Sequence, residues 1–253
     1  MADLSGNLNE LRGIARAGEP DRYLAALLAP RRLQADLVTL AAFMAELGRV
    51  EAFVREPMMA AIRLQWWRDT IETGAHTGQP VADALPGLVR RHAVPMPLLD
   101  EALDATEAAV TARAGWDAPG LEAAAARREA AAFALAGAVL CVPAEPHADI
   151  FATSGAAYAA ARALLRLAAG DPDGPRLATT ARAALAEVRH LVTKDDRLIA
   201  ALLPLALVEP YLRAYETARP EPREARAHGA PLRNINPLTR FWRLWRAHWR
   251  RRV

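Results

Sequence analysis

From Arg31 onward, apolar residues return every three or four positions: Leu33, Leu37, Leu40, Phe43, Met44, Leu47, Val50 and Val54. That spacing places them on one side of an amphipathic helix, and Pro57 ends or kinks it because a proline ring cannot donate to the helix ladder. The same periodicity predicts a short helix over 7–17, closing near Gly18 and Pro20. A segment beginning at Tyr23 follows, for which Asp21 offers an N-cap and which Pro30 interrupts. A further helix runs from about Met58 to Glu72.

Turn-rich breaks divide the rest. TGAHTGQP at 73–80, the prolines Pro95 and Pro97, AGWDAPG at 114–120, Pro143 with Pro146, and GDPDGP at 170–175 are stops of this kind. Between them the pattern predicts helices over Val81–Arg91, Pro97–Arg113, Leu121–Cys141, Ala148–Ala169 and Ala178–Thr193, then Arg197–Glu216 with Pro204 and Pro210 inside it. Alanine and leucine dominate, and Val/Ile/Thr runs with period-two alternation are missing, so the chain reads as all-α. The organisation expected is one helical domain over 1–218, a proline- and charge-rich linker over 219–236, and a last helix over 237–253.

Composition narrows the compartment more than the chemistry. With 253 residues, 53% of them hydrophobic, the chain can bury a sizeable core. Its net charge is only +3, and Lys194 is its sole lysine. The arginine bias fits either a GC-rich coding sequence or selection for bidentate anion binding. Cys141 lies in the apolar run ALAGAVLCV, where a small buried hydrophobe is expected, and a lone cysteine suits a reducing, cytoplasmic setting. No window approaches the ~18–20 apolar residues of a membrane span, and no signal-peptide core is visible. The six histidines are scattered, with no zinc-type spacing, and there is no glycine-rich phosphate loop or nucleophile elbow. Asp195 and Asp196 sit where they would cap the following helix. Of the adjacent pair Trp66 and Trp67, only one can face the core fully.

Several stretches together resemble the squalene/phytoene synthase family. Leu40, Ala42 and Phe43, then Arg63, Leu64, Trp67, Arg68 and Asp69, stand where that family has A-L-Y-A-F-C-R-x-x-D-D-x-x-D followed by R-L-x-x-W-R. Tyr23, Ala25, Leu27, Leu28 and Pro30 are similar to its entry segment F-Y-x-A-x-L-L-P. FALAGAVL at 133–140 and LLPLALVEPYLRAYE at 202–216 are similar to later family segments. The resemblance implies a single all-α domain of the isoprenoid synthase type, a helical bundle around a central cavity. In the family's enzymes, two aspartate-rich helices hold magnesium and, through it, an isoprenoid diphosphate. Counting from Phe43, the first set of aspartates is replaced by Gly48, Arg49 and Ala52. Aligning on Leu164, Leu165 and Arg166 puts Leu167 and Gly170 at two carboxylate places of the second set, leaving only Asp171. Magnesium takes octahedral oxygen ligands at ~2.0–2.1 Å, which glycine, alanine and leucine do not supply.

No catalytic or metal-binding residue is therefore expected, and magnesium belongs only to the alternative of a prenyltransferase with a rebuilt site. Two readings of the arginines stand side by side. Arg49, Arg162 and Arg166, with Tyr23 and Asp171, would line an anion or prenyl-lipid pocket, or the arginines point to solvent or pair with Glu46, Glu51 or Asp171. The segments F-M-A-E-L-G-R-V and R-L-Q-W-W-R are closer to the family branch containing the mitochondrial complex I assembly factor. That likeness implies a non-catalytic assembly or binding factor with a respiratory-complex partner near the inner membrane.

The last helix adds a separate signal. On a helical wheel Leu238, Phe241, Trp242, Trp245 and Trp249 share one arc, and Arg240, Arg243, Arg246, Arg250 and Arg251 the other. Such a helix could dock on the domain or a partner, or lie on an anionic membrane surface. Nucleic acid would call for a broader basic surface than this chain has.

Overall fold

A computed structural model describes residues 2–168, 170–192, 195–217 and 235–253, with side chains from residue 7. The described residues form twelve α-helices and no strand: α1 (Ala2–Gly18), α2 (Pro20–Leu28), α3 (Arg31–Phe53), α4 (Pro57–Thr73), α5 (Pro80–His92), α6 (Met96–Ala114), α7 (Ala118–Val139), α8 (Ala148–Leu164), α9 (Gly174–Leu191), α10 (Asp196–Ala201), α11 (Val208–Glu216) and α12 (Pro237–Arg250). Most of the expected linker, 219–236, lies outside the described residues.

Local chemistry sets the ends. Pro57 and Pro80 open α4 and α5 at first-turn positions, where a missing N–H costs nothing. Gly74 closes α4 in the left-handed region at φ 66°, a conformation glycine adopts without strain. Gln79, Asp117, Asp195 and Asn236 accept hydrogen bonds from backbone amides at the starts of α5, α7, α10 and α12.

The axis of the fold is α3. Its periodicity predicted one buried side, but every residue from Asp36 to Leu47 is buried. The helix is sheathed by α1, α2, α5, α6 and α7, so even the polar residues Asp36, Thr39 and Glu46 of that stretch are buried. Asp36 is instead paired with Arg91 and, at 2.7 Å, with His92 Nε2 of α5. Trp67 brings α4 onto this axis, meeting Phe43 edge to face with ring centroids 5.3 Å apart.

The second half stacks in chain order, α6 on α7, α7 on α8, and α8 on α9. The alanine-rich faces of α7 and α8 allow a close approach. A Cβ at Gly155 would lie 2.4 Å from the Ala126 carbonyl oxygen and 2.6 Å from the Ala130 amide nitrogen, so only glycine fits there.

Three local expectations change. The helix expected from Ala148 to Ala169 ends at Leu164. The one expected from Arg197 to Glu216 is broken into α10, a 3-10 turn over Leu203–Leu207, and α11, because Pro204 supplies no amide for the α-helical ladder. Cys141 is exposed rather than buried, and its φ of 60° turns the chain just beyond α7.

Candidate functional site

The first motif's aspartate places do not face the centre of the fold. Arg49 is 60% exposed and donates to Glu46 Oε1 at 2.9 Å, Ala52 is exposed, and a side chain at Gly48 would meet nothing within 4 Å. The carboxylate of this turn that points inward is Glu51. Arg49 is thus not a pocket residue: with α3 enclosed on most sides, it occupies the narrow strip left to solvent.

Nor do α3 and α8 face one another across a void. Helix α7 stands between them, and a chain of ion pairs crosses it. Glu51 receives Arg113 of α6 at 2.8 Å and Arg128 of α7. Arg128 also contacts Glu129 at 3.3 Å. Glu129 then accepts from Arg22 of α2 at 2.5 Å and from Arg162 of α8 at 3.3 Å. Both of these arginines close on Glu19, each at 2.8 Å, at the junction of α1 and α2. Their guanidinium groups also lie over the Tyr158 ring, 5.1 and 5.6 Å from its centroid.

Tyr158 carries the network onward. Its hydroxyl donates to Asp21 at 2.5 Å, Tyr211 of α11 donates to the same oxygen, and Arg240 of α12 pairs with the other oxygen at 2.6 Å. Asp21 is therefore a buried hub rather than the N-cap its position suggested. The helix it was expected to cap begins one residue before it, at Pro20.

Burial alone would push Glu129 up, but Arg22, Arg162 and Arg128 outweigh it and hold the carboxyl at about 2, against an ordinary 4.5. For Glu51, burial is likewise overcome by Arg128, Arg166 and Arg113, so its pKa is lowered. Burial, then the charge of Asp21, raises the Tyr158 hydroxyl well above its usual value, so the proton stays on the donor. All of these groups hold the charge state that their partners need. An isolated ion in such surroundings costs several kcal/mol, which is why each carboxylate is met by arginine or tyrosine.

Of the five residues expected to line a ligand pocket, Arg162 is in this network. Arg166 is beside it: the residue reaches solvent, yet burial of its guanidinium, followed by the charge of Arg162, lowers its pKa, with Glu51 opposing. Tyr23 is half-buried against the apolar core. The Asp171 carboxylate accepts from the Asp173 amide within its own turn, at 3.0 Å, and sits past the end of α8. The five do not converge. Glu19, Arg22, Arg128, Glu129 and Tyr158 were missed, while Asp21 was read only as a cap and Glu51 only as an arginine partner; the adjacent charges Arg128 and Glu129 in an alanine run, and Glu19, Asp21 and Arg22 in EPDRY, were visible signals.

A magnesium diphosphate does not fit this donor set. The inward carboxylates Glu19, Glu51 and Glu129 are already engaged by arginines, which would repel a divalent cation. Between α2, α3, α7 and the α10 region remains a cavity of about 40 Å³, lined by Arg22, Leu40, Met44, Phe133, Ala136 and others. Small-molecule pockets commonly measure ~300–1,000 Å³, so a prenyl chain has no room there. Among the described residues, this small space lies where a central cavity was expected.

Helix α12 docks on the domain through residues outside its aromatic arc. Leu244 and Arg240 are buried and Ala247 packs on the core, while Trp242, Trp245 and Trp249 remain 56, 37 and 72% exposed. Arg240 therefore belongs to the docking side, not to a solvated cationic arc. The three indoles form an outward ladder, Trp242 to Trp245 at 5.0 Å and Trp245 to Trp249 at 6.2 Å between ring centroids.

The architecture at this point is an all-α bundle of the isoprenoid synthase type, closed over a buried polar centre. The chain belongs to the squalene/phytoene synthase family, whose model matches residues 15–164, more than half of it. The matched span stops at the end of α8, short of Leu167, Gly170 and Asp171. No curated protein and no solved structure matches the chain.

Proposed function

We propose that this protein is a non-catalytic member of the family, a scaffold that binds a partner during assembly of a larger complex. One observation carries the reading: the centre of the fold is occupied by its own ion pairs, with a cavity of only about 40 Å³ beside them. Ionising a prenyl diphosphate needs charge stabilisation aimed at the leaving group, and the arginines that could provide it are committed to Glu19, Glu51 and Glu129.

The surface supports the binding half of the proposal. Met58, Met59, Ile62 and Trp66 of α4 are exposed, and several of them border an apolar groove of about 480 Å³ together with Val54. Apolar groups clustered in this way favour protein contact. An assembly role toward respiratory complex I is the specific form that the sequence resemblance suggests.

Two assays test the proposal. Incubation with farnesyl or geranylgeranyl diphosphate and magnesium should release no pyrophosphate above a protein-free blank; release would make the protein a prenyltransferase with a rebuilt site. A strain deleted for the gene should accumulate incomplete complex I, and normal complex I there would remove the assembly role.

A further inference from the structure

The last helix combines three features that the scaffold reading does not use. First, its aromatic ladder points away from the fold. Arg240, Leu244 and Ala247 meet the domain, whereas Leu238, Phe241, Trp242, Trp245 and Trp249 lie on the opposite side of the helix and are exposed. Burying large apolar groups from water is favourable in proportion to the apolar area removed. Five such side chains on one outward strip are therefore a surface awaiting an apolar phase.

Second, the charge is segregated. The chain has 32 basic and 29 acidic residues, and residues 237–253 hold six arginines and no acid, so the rest of the chain is net acidic. Third, five of these arginines, all but Arg240, border an open cleft of about 800 Å³ between α12 and the α9–α10 region. Within it Arg189 is paired with Glu209 and Arg251 with Asp196, each at 2.8 Å. Arg243, Arg246, Arg250 and Arg252 have no carboxylate within 4 Å among the described residues.

We propose that α12 seats the protein on an anionic lipid bilayer, with the tryptophan ladder inserted at the interface and lipid phosphate groups drawn into the arginine cleft beside it. Indoles suit the headgroup boundary because one part of the ring is apolar and the N–H can remain wet. Guanidinium groups bind phosphate oxygens bidentately. No helix of the described residues is long and apolar enough to cross a membrane, so α12 would lie in the surface plane, held to the domain by Arg240 and Leu244. A protein partner would cover the ladder equally well, but four arginines flanking it favour a surface rich in negative charge. This inference does not depend on whether the fold is catalytic.

The test uses the full chain and vesicle flotation. Phosphatidylcholine vesicles with a third of the lipid replaced by phosphatidylglycerol should carry the protein, and phosphatidylcholine alone should carry little. Binding should shift the tryptophan emission to the blue and should weaken as salt is added. Replacing Arg243, Arg246, Arg250 and Arg252 with glutamine should cost about fivefold in vesicle affinity per arginine, several hundredfold for all four. Trp242→Ala, Trp245→Ala and Trp249→Ala together should abolish the blue shift and flotation. The melting curve of each variant is read first, and the arginine set stands as an independent test if the tryptophan set unfolds. Equal binding to both vesicle types, no flotation, tighter binding to a DNA duplex than to the vesicles, or either folded variant binding like the parent would overturn the proposal. So would inorganic phosphate binding in the cleft without vesicle association.

Discussion

Glu129 shows most directly how the centre is held. It is buried, and three arginines surround it: Arg22, Arg128 and Arg162. Glu129→Gln would leave these cations without their shared counter-charge, and we expect a loss of about 3–5 kcal/mol in unfolding free energy, read by urea denaturation. Its pH behaviour has a definite sign. The folded carboxyl titrates at about 2 and an ordinary one at 4.5, so its contribution is complete above the higher value and disappears as pH falls through the lower. Acid melting of the parent should steepen over that window, and Glu129→Gln should flatten it. Unchanged acid melting in the variant would remove Glu129 as the keystone.

Arg49 and Arg162 were both picked out from the sequence, but only Arg162 turns to the centre of the fold, and the reason is physical. Charge type was legible for both, but a helical wheel reports which residues share a side, not which side turns inward. On α3, buried nearly all round, the wheel had least to say. Asp21 misled for a related reason. Its position before a helix suggested a cap, and only the fold brings Tyr158, Tyr211 and Arg240 to it from 137, 190 and more residues away.

At the scale of elements, proline, glycine and apolar period carried most of the information. The bounds of α3, α4, α5 and α6 follow from Pro30, Pro57, Gly74, Pro80 and Pro95, because each removes a donor or frees a turn locally. The α10–α11 break was visible as Pro204 and Pro210, yet a short helix tolerates a proline in its first turn, so the pattern did not place the break. The approach of α7 and α8 was hidden because it depends on Gly155 meeting backbone 25 and more residues earlier in the chain. Gly155→Ala should destabilise the fold by about 1–3 kcal/mol through overpacking, detected as a lower melting temperature. A neutral effect would mean the two helices can separate without cost. In α12, Leu244→Ala should cost about 2–5 kcal/mol if the helix folds cooperatively with the domain. Selective proteolytic release of α12 from an otherwise stable protein would show that it docks as a separable unit.

For the molecule as a whole, family and fold class were legible, since both rest on long periodic segments and on a motif spread through much of the chain. The state of the centre was not. Loss of aspartates at 48, 49 and 52 said what was gone, while the replacement, an ion network tying α1–α2, α3, α6, α7, α8, α11 and α12 together, is a property of tertiary contacts alone. With a cavity near 40 Å³, the protein should emerge from native mass spectrometry without a retained prenyl lipid, and a stoichiometric lipid adduct would require the centre to open.

The filled centre itself is tested most directly by ligand-induced stabilisation. A ligand that binds only the folded state raises its stability by about 2.7 kcal/mol at a hundred times its dissociation constant. Thermal melting with magnesium and a non-hydrolysable farnesyl thiodiphosphate should therefore leave the midpoint where it is with buffer alone. A saturable rise that requires magnesium and disappears in Glu51→Gln would contradict the account, because it would mean that the inward carboxylate can leave Arg113 and Arg128 to hold a metal.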